Sequence, residues 1–276
     1  MSLSINSNLA SLQAQINLGK AQSMVNKNMA ILSSGLRIAD VSDDPAGAGI
    51  AAQFTSIVNS YGQAAQNTNN GISMLQTADG ALSQIQSTLE RMRELAVESA
   101  NGTLANSDRT NIQTEFTQLQ SEITRIASST KFGNVQMLNT AAQTVNLQVG
   151  VNNSANDVIA VTFNAEDATT LKVDAASIQV DTQAHATASL NALDTALASV
   201  SQDRASIGAQ QNRLQVALSN DQAFSTNLSS ALSRIQDADV AATSADLARS
   251  QVLVQAGVAV LAQANQTPSL ALALLH

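Results

Sequence analysis

A seven-residue repeat of apolar and small residues is the feature that most constrains this chain. Its repeated positions are Phe54/Ile57, Tyr61/Ala64, Thr68/Gly71, Leu75/Ala78, Leu82/Ile85, Leu89/Met92 and Ala96/Ser99. This spacing predicts one long amphipathic helix. Asp44 and Pro45 offer an N-cap and a first turn, and Gly71 weakens the helix near its middle. From Pro45 to Ala100 the helix would be roughly 80 Å long, so it requires partner helices.

Two further segments have the spacing of partner helices. After the turn residues Asn101 and Gly102, the first presents apolar side chains at Ile112, Phe116, Leu119, Ile123 and Ile126. The second presents Leu190, Leu193, Leu197, Val200, Ile207, Leu214 and Leu218, interrupted at Arg204 and Gln211. We therefore predict long antiparallel helical rods that pack as a bundle.

In the stretch between these helices, the spacing of apolar residues changes from that of a helix to that of a strand. Apolar residues alternate at Val145, Leu147, Val149 and Val151, and again at Ile159, Val161 and Phe163. Alternation predicts strands with one buried face. Residues 171–173 and 177–180 are weaker strand candidates. Residues 131–182 are thus predicted to form a small β-rich insertion of short strands and turns.

The two ends of the chain are amphipathic and poor in charge. The N-terminal end places Ile5, Leu9, Leu12 and Ile16 on one helix face, and the C-terminal end repeats Val240, Leu247, Val254 and Leu261 every seven residues, stopping before Pro268. Such helices are marginal alone and gain stability by packing. Complementary ends that do not close into a ring build an open helical polymer. Periodicity equally allows both ends to pack within one monomeric bundle.

Composition argues against several classes of function. Only 12% of residues are charged and the net charge is −8, which disfavours nucleic-acid binding. There is no cysteine, and the two histidines, His185 and His276, lie in no metalloprotease motif. Neither a signal peptide nor an apolar run long enough for membrane insertion is found. We predict a chain that is not an enzyme and has no cofactor or metal.

Several motifs resemble stretches of the terminal regions of bacterial flagellins. They are residues 5–12 (INSNLASL), 32–38 (LSSGLRI), 43–47 (DDPAG) and 91–103 (RMRELAVESANGT), and, near the other end, 233–239 (SRIQDAD), 255–257 (QAG) and 261–266 (LAQANQ). The similarity covers about residues 1–140 and 185–276. The chain departs from the usual family ending Leu-Leu-Arg, since it finishes with Leu274, Leu275 and His276.

The resemblance implies a mainly α fold with paired terminal coiled-coil helices and a short outer variable region. We expect five segments: a filament-core helix and connector (1–42), the N-terminal rod helices (43–140), a β-rich outer segment (141–184), the C-terminal rod helix (185–236) and a C-terminal filament-core helix (237–276). The implied function is that of an exported, secreted subunit that polymerises into the extracellular bacterial flagellum for motility.

Partners and site residues also follow from the resemblance. Expected partners are other copies of the chain in a helical homopolymer, a flagellin export chaperone, the flagellar secretion apparatus, and the filament cap and hook–filament junction proteins. The expected polymerisation interface is Ile5, Leu9, Leu12, Ile16, Val240, Leu247, Val254 and Leu261. A vertebrate Toll-like flagellin receptor would contact positions matching Arg91, Leu95 and Glu115, a face that also suits filament packing.

Two other functions share some of these features. A hook–filament junction adaptor has similar terminal helices, but the motifs at 91–103 and 261–266 favour the filament subunit. A surface adhesin or glycan-binding module would have to use residues 141–182, where Phe163 is the sole aromatic residue. That scarcity argues against a site for stacking sugars.

Overall fold

The computed structural model describes residues 8–139 and 143–273, with side chains described as far as Gln266. In this part of the chain there are five α-helices: α1 (Leu9–Ser34), α2 (Pro45–Ser99), α3 (Asn106–Ser129), α4 (Gln183–Gln236) and α5 (Val240–Ala273). The described strands are β1 (Lys131–Phe132), β2 (Val135–Gln136), β3 (Gln143–Gln148) and β4 (Val158–Phe163). The predicted fold class, mainly α with a small β-rich insertion, is confirmed.

Contacts divide the chain into two compact units. One contains the residues up to Val58 and from Thr226 onward, and the other contains residues 59–225. The unit boundaries fall within α2 and α4. The five-segment division expected from the sequence stays a prediction.

Local side chains and backbone geometry cap the end of α1 and the start of α2. Gly35 follows α1 with φ of 72° and donates its N–H to the Ile31 carbonyl at 2.8 Å, a left-handed C-cap that glycine adopts without steric cost. At the start of α2, the Asp44 carboxylate accepts the Gly47 N–H at 2.9 Å. The predicted N-cap at Asp44 is therefore confirmed.

The heptad of α2 lines the core of residues 59–225. Its positions from Ala64 onward are all buried: Ala64, Thr68, Gly71, Leu75, Ala78, Leu82, Ile85, Leu89, Met92, Ala96 and Ser99. Helix α3 runs back along α2, since Arg91 bonds to Glu115 and Ser99 to Arg109. The chain thus builds the antiparallel helix packing that its periodicity predicts.

Helix α4 also runs antiparallel to α2. Arg93 pairs with Asp194 at 2.6 Å, and Asp79, earlier in α2, pairs with Arg204 at 2.9 Å. Arg204, which the sequence marks as a polar break in the α4 face, also donates to the Gln86 side chain at 2.8 Å. The polar position that interrupts the apolar face of α4 therefore forms a layer of polar contacts between α2 and α4.

Gly71 does not interrupt α2, which is continuous from Pro45 to Ser99. A Cβ atom at Gly71 would lie 2.3 Å from Cδ1 of Leu147 on β3 and 3.2 Å from Cδ1 of Leu214 on α4. The glycine therefore lets a strand and a helix approach α2 closely. Its packing role outweighs its low helix propensity of about 1 kcal/mol.

The β-rich insertion contains two antiparallel hairpins. β1 and β2 meet through a turn in which Gly133 has φ of 58°. β3 pairs with β4 from Gln143 opposite Phe163 to Gln148 opposite Val158. Alternation on β4 buries Ile159, Val161 and Phe163 against the core, as predicted.

Two strand candidates are wrong. Residues 171–173 and 177–180 form turns and irregular backbone, although Leu171, Val173, Ile178 and Val180 are buried. Asp167 accepts hydrogen bonds from Thr170, and Asp174 accepts one from Ser177. These local turns satisfy the backbone without strand pairing, so alternating burial arises from a folded loop.

The heptad repeat of the last segment stops before Pro268, but its helix does not. Helix α5 continues through this position to Ala273. A proline within a helix removes one backbone hydrogen bond. That local cost did not end the helix here.

Candidate assembly surface

The first and last helices of the described chain pair with each other in antiparallel orientation. Near one end, Asn8 Nδ2 donates to the Ala264 carbonyl at 2.8 Å. Near the other, Leu36 forms an antiparallel β-bridge with Asp237. Between them, Asn28 Nδ2 donates to Ser250 Oγ at 3.5 Å. Residues more than 200 positions apart in sequence therefore meet along the whole length of α1.

Small side chains, interspersed with leucine and valine, form the seam between these helices. The less exposed positions of each helix keep a three-four spacing: Ser11, Ala14, Leu18, Ala21, Val25, Asn28 and Leu32 on α1, and Thr243, Leu247, Ser250, Val254, Gly257, Leu261 and Ala264 on α5. A Cβ atom at Gly257 would lie 3.3 Å from Leu18 Cδ1. The spacing is that of a coiled coil, and its small residues allow close approach.

The α1 stripe expected to drive polymerisation lies on the side of the helix away from this seam. Leu9, Leu12 and Ile16 are 75%, 54% and 47% exposed. Ile5, the fourth member, lies outside the described residues. The stripe is therefore an uncovered apolar face of α1.

The four α5 residues expected at the interface divide between two environments. Val240 is 59% exposed. Leu247, Val254 and Leu261 are half-buried on the side of α5 that faces α1. The heptad found in the sequence thus lies mainly on the intramolecular seam.

Helix α5 also has apolar residues outside that seam. Val252, Leu253, Val258 and Val260 are 62%, 49%, 53% and 58% exposed and lie on its flanks and back. Sequence reasoning missed these four because it followed a single heptad. The available signal was apolar character on every face, which is typical of a buried helix.

A second candidate site lies on α2 and α3. Arg91 donates through Nη2 to Glu115 Oε1 at 2.8 Å and through Nη1 to Glu94 Oε2 at 3.0 Å. Glu115 and then Glu94 raise the pKa of Arg91 above its ordinary value. Leu95 is only 2% exposed and faces the core. The structure therefore brings Arg91 and Glu115 together at the surface, with Leu95 beneath them.

Two other observations bear on the class of function. Among the described residues, no three His, Cys, Asp or Glu side chains lie close enough to hold a metal ion. No described helix combines the length and hydropathy needed to cross a bilayer. What distinguishes the chain is a pair of terminal helices with uncovered apolar faces, which is the design of a subunit in a larger assembly.

Comparison with known proteins agrees with this class. The family described as bacterial flagellin N-terminal helical region matches residues 5–143, and the bacterial flagellin C-terminal helical region matches residues 190–275. A flagellin of Halalkalibacterium halodurans is 39% identical over 272 residues, covering 99% of both chains. The flagellar filament 33 kDa core protein of Treponema phagedenis is 36% identical over 288 residues, again covering 99% of both.

A solved structure is also similar. The crystal structure of Bacillus cereus flagellin has a TM-score of 0.50 and 33% identity, covering 56% of this chain and 88% of that one. The chain belongs to the bacterial flagellin family. It is a structural, helical subunit of the flagellar filament, and no observation favours the junction adaptor.

Proposed function

We propose that the chain polymerises by burying the outward faces of α1 and α5 against neighbouring copies. The single observation that carries this proposal is the all-round apolar character of α5, whose valines and leucine outside the seam are about half exposed or more. Between Val240 and Ala273 the helix has two charged residues, Asp246 and Arg249. Apolar surface of this kind gains roughly 25 cal/mol for each Å² removed from water.

The seam between α1 and α5 supports the proposal, because it separates residues that pair the two helices from residues that are free to contact neighbouring copies. It holds α1 and α5 together within one copy, and a second set of apolar side chains on each helix remains outside it. Leu9, Leu12, Ile16 and Val240 then belong to the intermolecular surface. Leu247, Val254 and Leu261 contribute by keeping the pair intact. Ile5, which lies outside the described residues, is proposed for the same intermolecular surface on its sequence spacing alone.

An outward-facing substitution tests the proposal. Val258→Asp places a carboxylate on the flank of α5, whereas Gln255→Asp places one at an exposed polar position of the same helix. We expect Val258→Asp to abolish filament growth on short filament seeds, because burying an unpaired charge is costly. Electron microscopy measures growth, and circular dichroism checks that helix content is kept.

The Gln255→Asp variant is the matched control. It should still elongate seeds, since the added charge replaces a polar side chain. Normal filaments from Val258→Asp would refute the proposed surface. An equal loss of filament growth in both variants would show that a charge anywhere on α5 blocks assembly. It would therefore remove the evidence that one specific face of α5 is buried.

We further propose that the chain is secreted through the flagellar secretion apparatus, escorted by an export chaperone. Exposed apolar faces on α5 give such a chaperone a surface to cover before assembly. The filament cap and hook–filament junction proteins would meet the same terminal helices. Co-purification of the chaperone with intact chain, and its loss with a chain lacking residues 237–276, would test this; equal capture by both would contradict it.

The Arg91–Glu115 surface is proposed as the contact for a vertebrate Toll-like flagellin receptor. Both side chains are about half exposed, at 49% and 48%, so a partner can reach their remaining polar atoms. Leu95 would act from beneath by fixing α2 in the core. Because the Leu95 side chain is buried, a receptor cannot contact it directly unless α2 moves, so we propose an indirect role.

Receptor activation in a reporter cell tests this second proposal. Arg91→Ala should weaken activation while leaving thermal stability nearly unchanged, because exposed ion pairs contribute little to folding. Arg125→Ala removes a comparable exposed arginine, which pairs with Glu122, and should leave activation intact. Equal responses from wild type and Arg91→Ala would exclude Arg91 as a contact.

A further inference from the structure

Glu166 carries a buried carboxyl group. The residue is 2% exposed, and its Oε2 atom is inaccessible to solvent and has no hydrogen-bond partner among the described residues. Its backbone N–H donates to the Leu138 carbonyl at 2.9 Å, which fixes it after β4. A buried, unpaired carboxylate is unfavourable by several kcal/mol. Something other than solvent must therefore neutralise this group.

A second carboxyl group lies beside Glu166. Asp203 on α4 lines the same cavity as Glu166 and can hydrogen-bond to its side chain when one of the two carboxyl groups is protonated, and Asp167 adds a further negative charge. Asp203 is held in place by Asn164 Nδ2, which donates to its Oδ1 at 2.8 Å. The adjacent Arg204 points to Asp79 instead. Among the described residues, no cation acts on Glu166.

Two ionised carboxylates cannot share this position, so either a proton or a metal ion must lie between them. A metal ion needs several ligands, and among the described residues no three acidic, histidine or cysteine side chains lie close enough together to hold one. A proton needs only the two carboxyl groups. Burial, and then the neighbouring Asp203 and Asp167, raise the pKa of Glu166 to about 9.

We infer that Glu166 keeps its proton at neutral pH and donates it to Asp203, forming a pH-sensitive clasp that holds residues 164–182 against α4. The clasp joins a segment of the outer insertion to a rod helix through a single acid–carboxylate hydrogen bond. Mild alkali removes the proton and leaves two charges in contact. The segment then loosens or separates from α4.

The direction of the pH dependence follows from proton binding. The pKa of Glu166 is raised from 4.5 to about 9 on folding, so the folded protein holds a proton that the unfolded chain releases. Stability therefore falls as pH rises from 4.5 towards 9, and this contribution levels off above that. An ordinary salt-bridged glutamate would show the opposite sign.

A carboxyl ¹³C NMR titration tests the proton directly. In full-length monomer labelled at glutamate, Glu166→Gln identifies the resonance by its disappearance. We expect the wild-type midpoint about two or more pH units above that of an ordinary glutamate. In Asp203→Asn the midpoint should move down by about one unit or more, because the like charge is gone. A wild-type midpoint near the ordinary glutamate value would overturn the inference.

Thermal unfolding provides the second measurement. Between about pH 6 and pH 9, the Tm of Glu166→Gln should fall less than that of wild type, because the amide carries no titrating proton. Glu98→Gln, at an exposed glutamate, should match wild type. Identical pH dependence in wild type and Glu166→Gln would contradict the clasp.

Calcium distinguishes a proton from a metal ion. Millimolar calcium chloride should leave the Tm of wild type unchanged near pH 8. If calcium raised the Tm of wild type but not of Glu166→Gln, a cation would hold the carboxylates together and the proton clasp would be wrong. After correction for the intrinsic pH dependence of amide exchange, the protection factors of residues 164–182 should fall above about pH 9 in wild type and stay constant in Glu166→Gln.

Discussion

At the scale of single residues, a buried arginine connects the end of α2 to the turn that follows. Arg109 is 5% exposed and donates to the carbonyls of Ser99 at 2.8 Å, Asn101 at 2.7 Å and Leu104 at 3.0 Å. It therefore closes the end of α2 and the turn that follows. The carbonyls at a helix C-terminus carry partial negative charge, which a buried guanidinium complements.

Removing this arginine should be costly. We expect Arg109→Met to lower the free energy of unfolding by about 2–4 kcal/mol, because buried carbonyls lose their donors. Arg109→Lys should restore little of the lost stability, since a single ammonium group cannot donate to all three carbonyls as the planar guanidinium does. Urea unfolding followed by circular dichroism measures both. Arg125→Met, at an arginine with a 64% exposed side chain, is the control and should be nearly neutral; equal losses would refute a special role for Arg109.

At the scale of the element, the continuity of α2 depends on where its glycines lie. Gly80 has open space around its missing Cβ, whereas Gly71 faces Leu147 and Leu214. Both carry the same intrinsic helix penalty of about 1 kcal/mol. Packing, and not propensity, should therefore distinguish them.

Alanine substitution tests this difference. Gly80→Ala should raise the free energy of unfolding by about 0.5–1 kcal/mol. Gly71→Ala should give little or no gain, because Leu147 must move to admit the new methyl group. Adding Leu147→Ala to Gly71→Ala should reveal a favourable coupling in a double-mutant cycle of urea unfolding curves. Equal stabilisation at both glycines, with no coupling, would show that the close approach is unimportant.

At the scale of the whole molecule, assembly depends on joining residues from opposite ends of the chain. Helix α1 reaches α5 only after the intervening segments have folded or closed a loop of more than 200 residues. Such a contact is weak until other interactions hold the ends near each other. The terminal pair is therefore the part of the chain that gains most from neighbouring copies.

Deletion and seam disruption should have distinguishable results. A chain lacking residues 240–276 is expected to remain a soluble helical monomer that cannot elongate seeds. Leu261→Asp should also block growth, because it places a charge in the α1–α5 seam and unpairs the helices. Hydrogen exchange should report faster exchange of α1 amides in both variants. Filaments from either variant, seen by electron microscopy, would contradict the proposed requirement for an intact pair.

The sequence alone determined the elements and the family. Period-seven spacing predicted α2, Asp44 predicted the start of that helix, and the motifs at 91–103 and 261–266 predicted flagellin. These signals are local, since helix faces, caps and turns depend on residues within a few positions of one another. The same locality produced the two wrong strands, where alternating burial came from a folded loop.

Only the tertiary structure decided which faces meet. It placed Leu247 and Leu261 against α1 and left Leu9 and Val258 exposed, a distinction that an all-round apolar helix does not reveal in its sequence. It also brought Glu166 to Asp203. These outcomes depend on the rotation and register of elements far apart in the chain, which are fixed by packing and burial across the whole fold and not by local spacing.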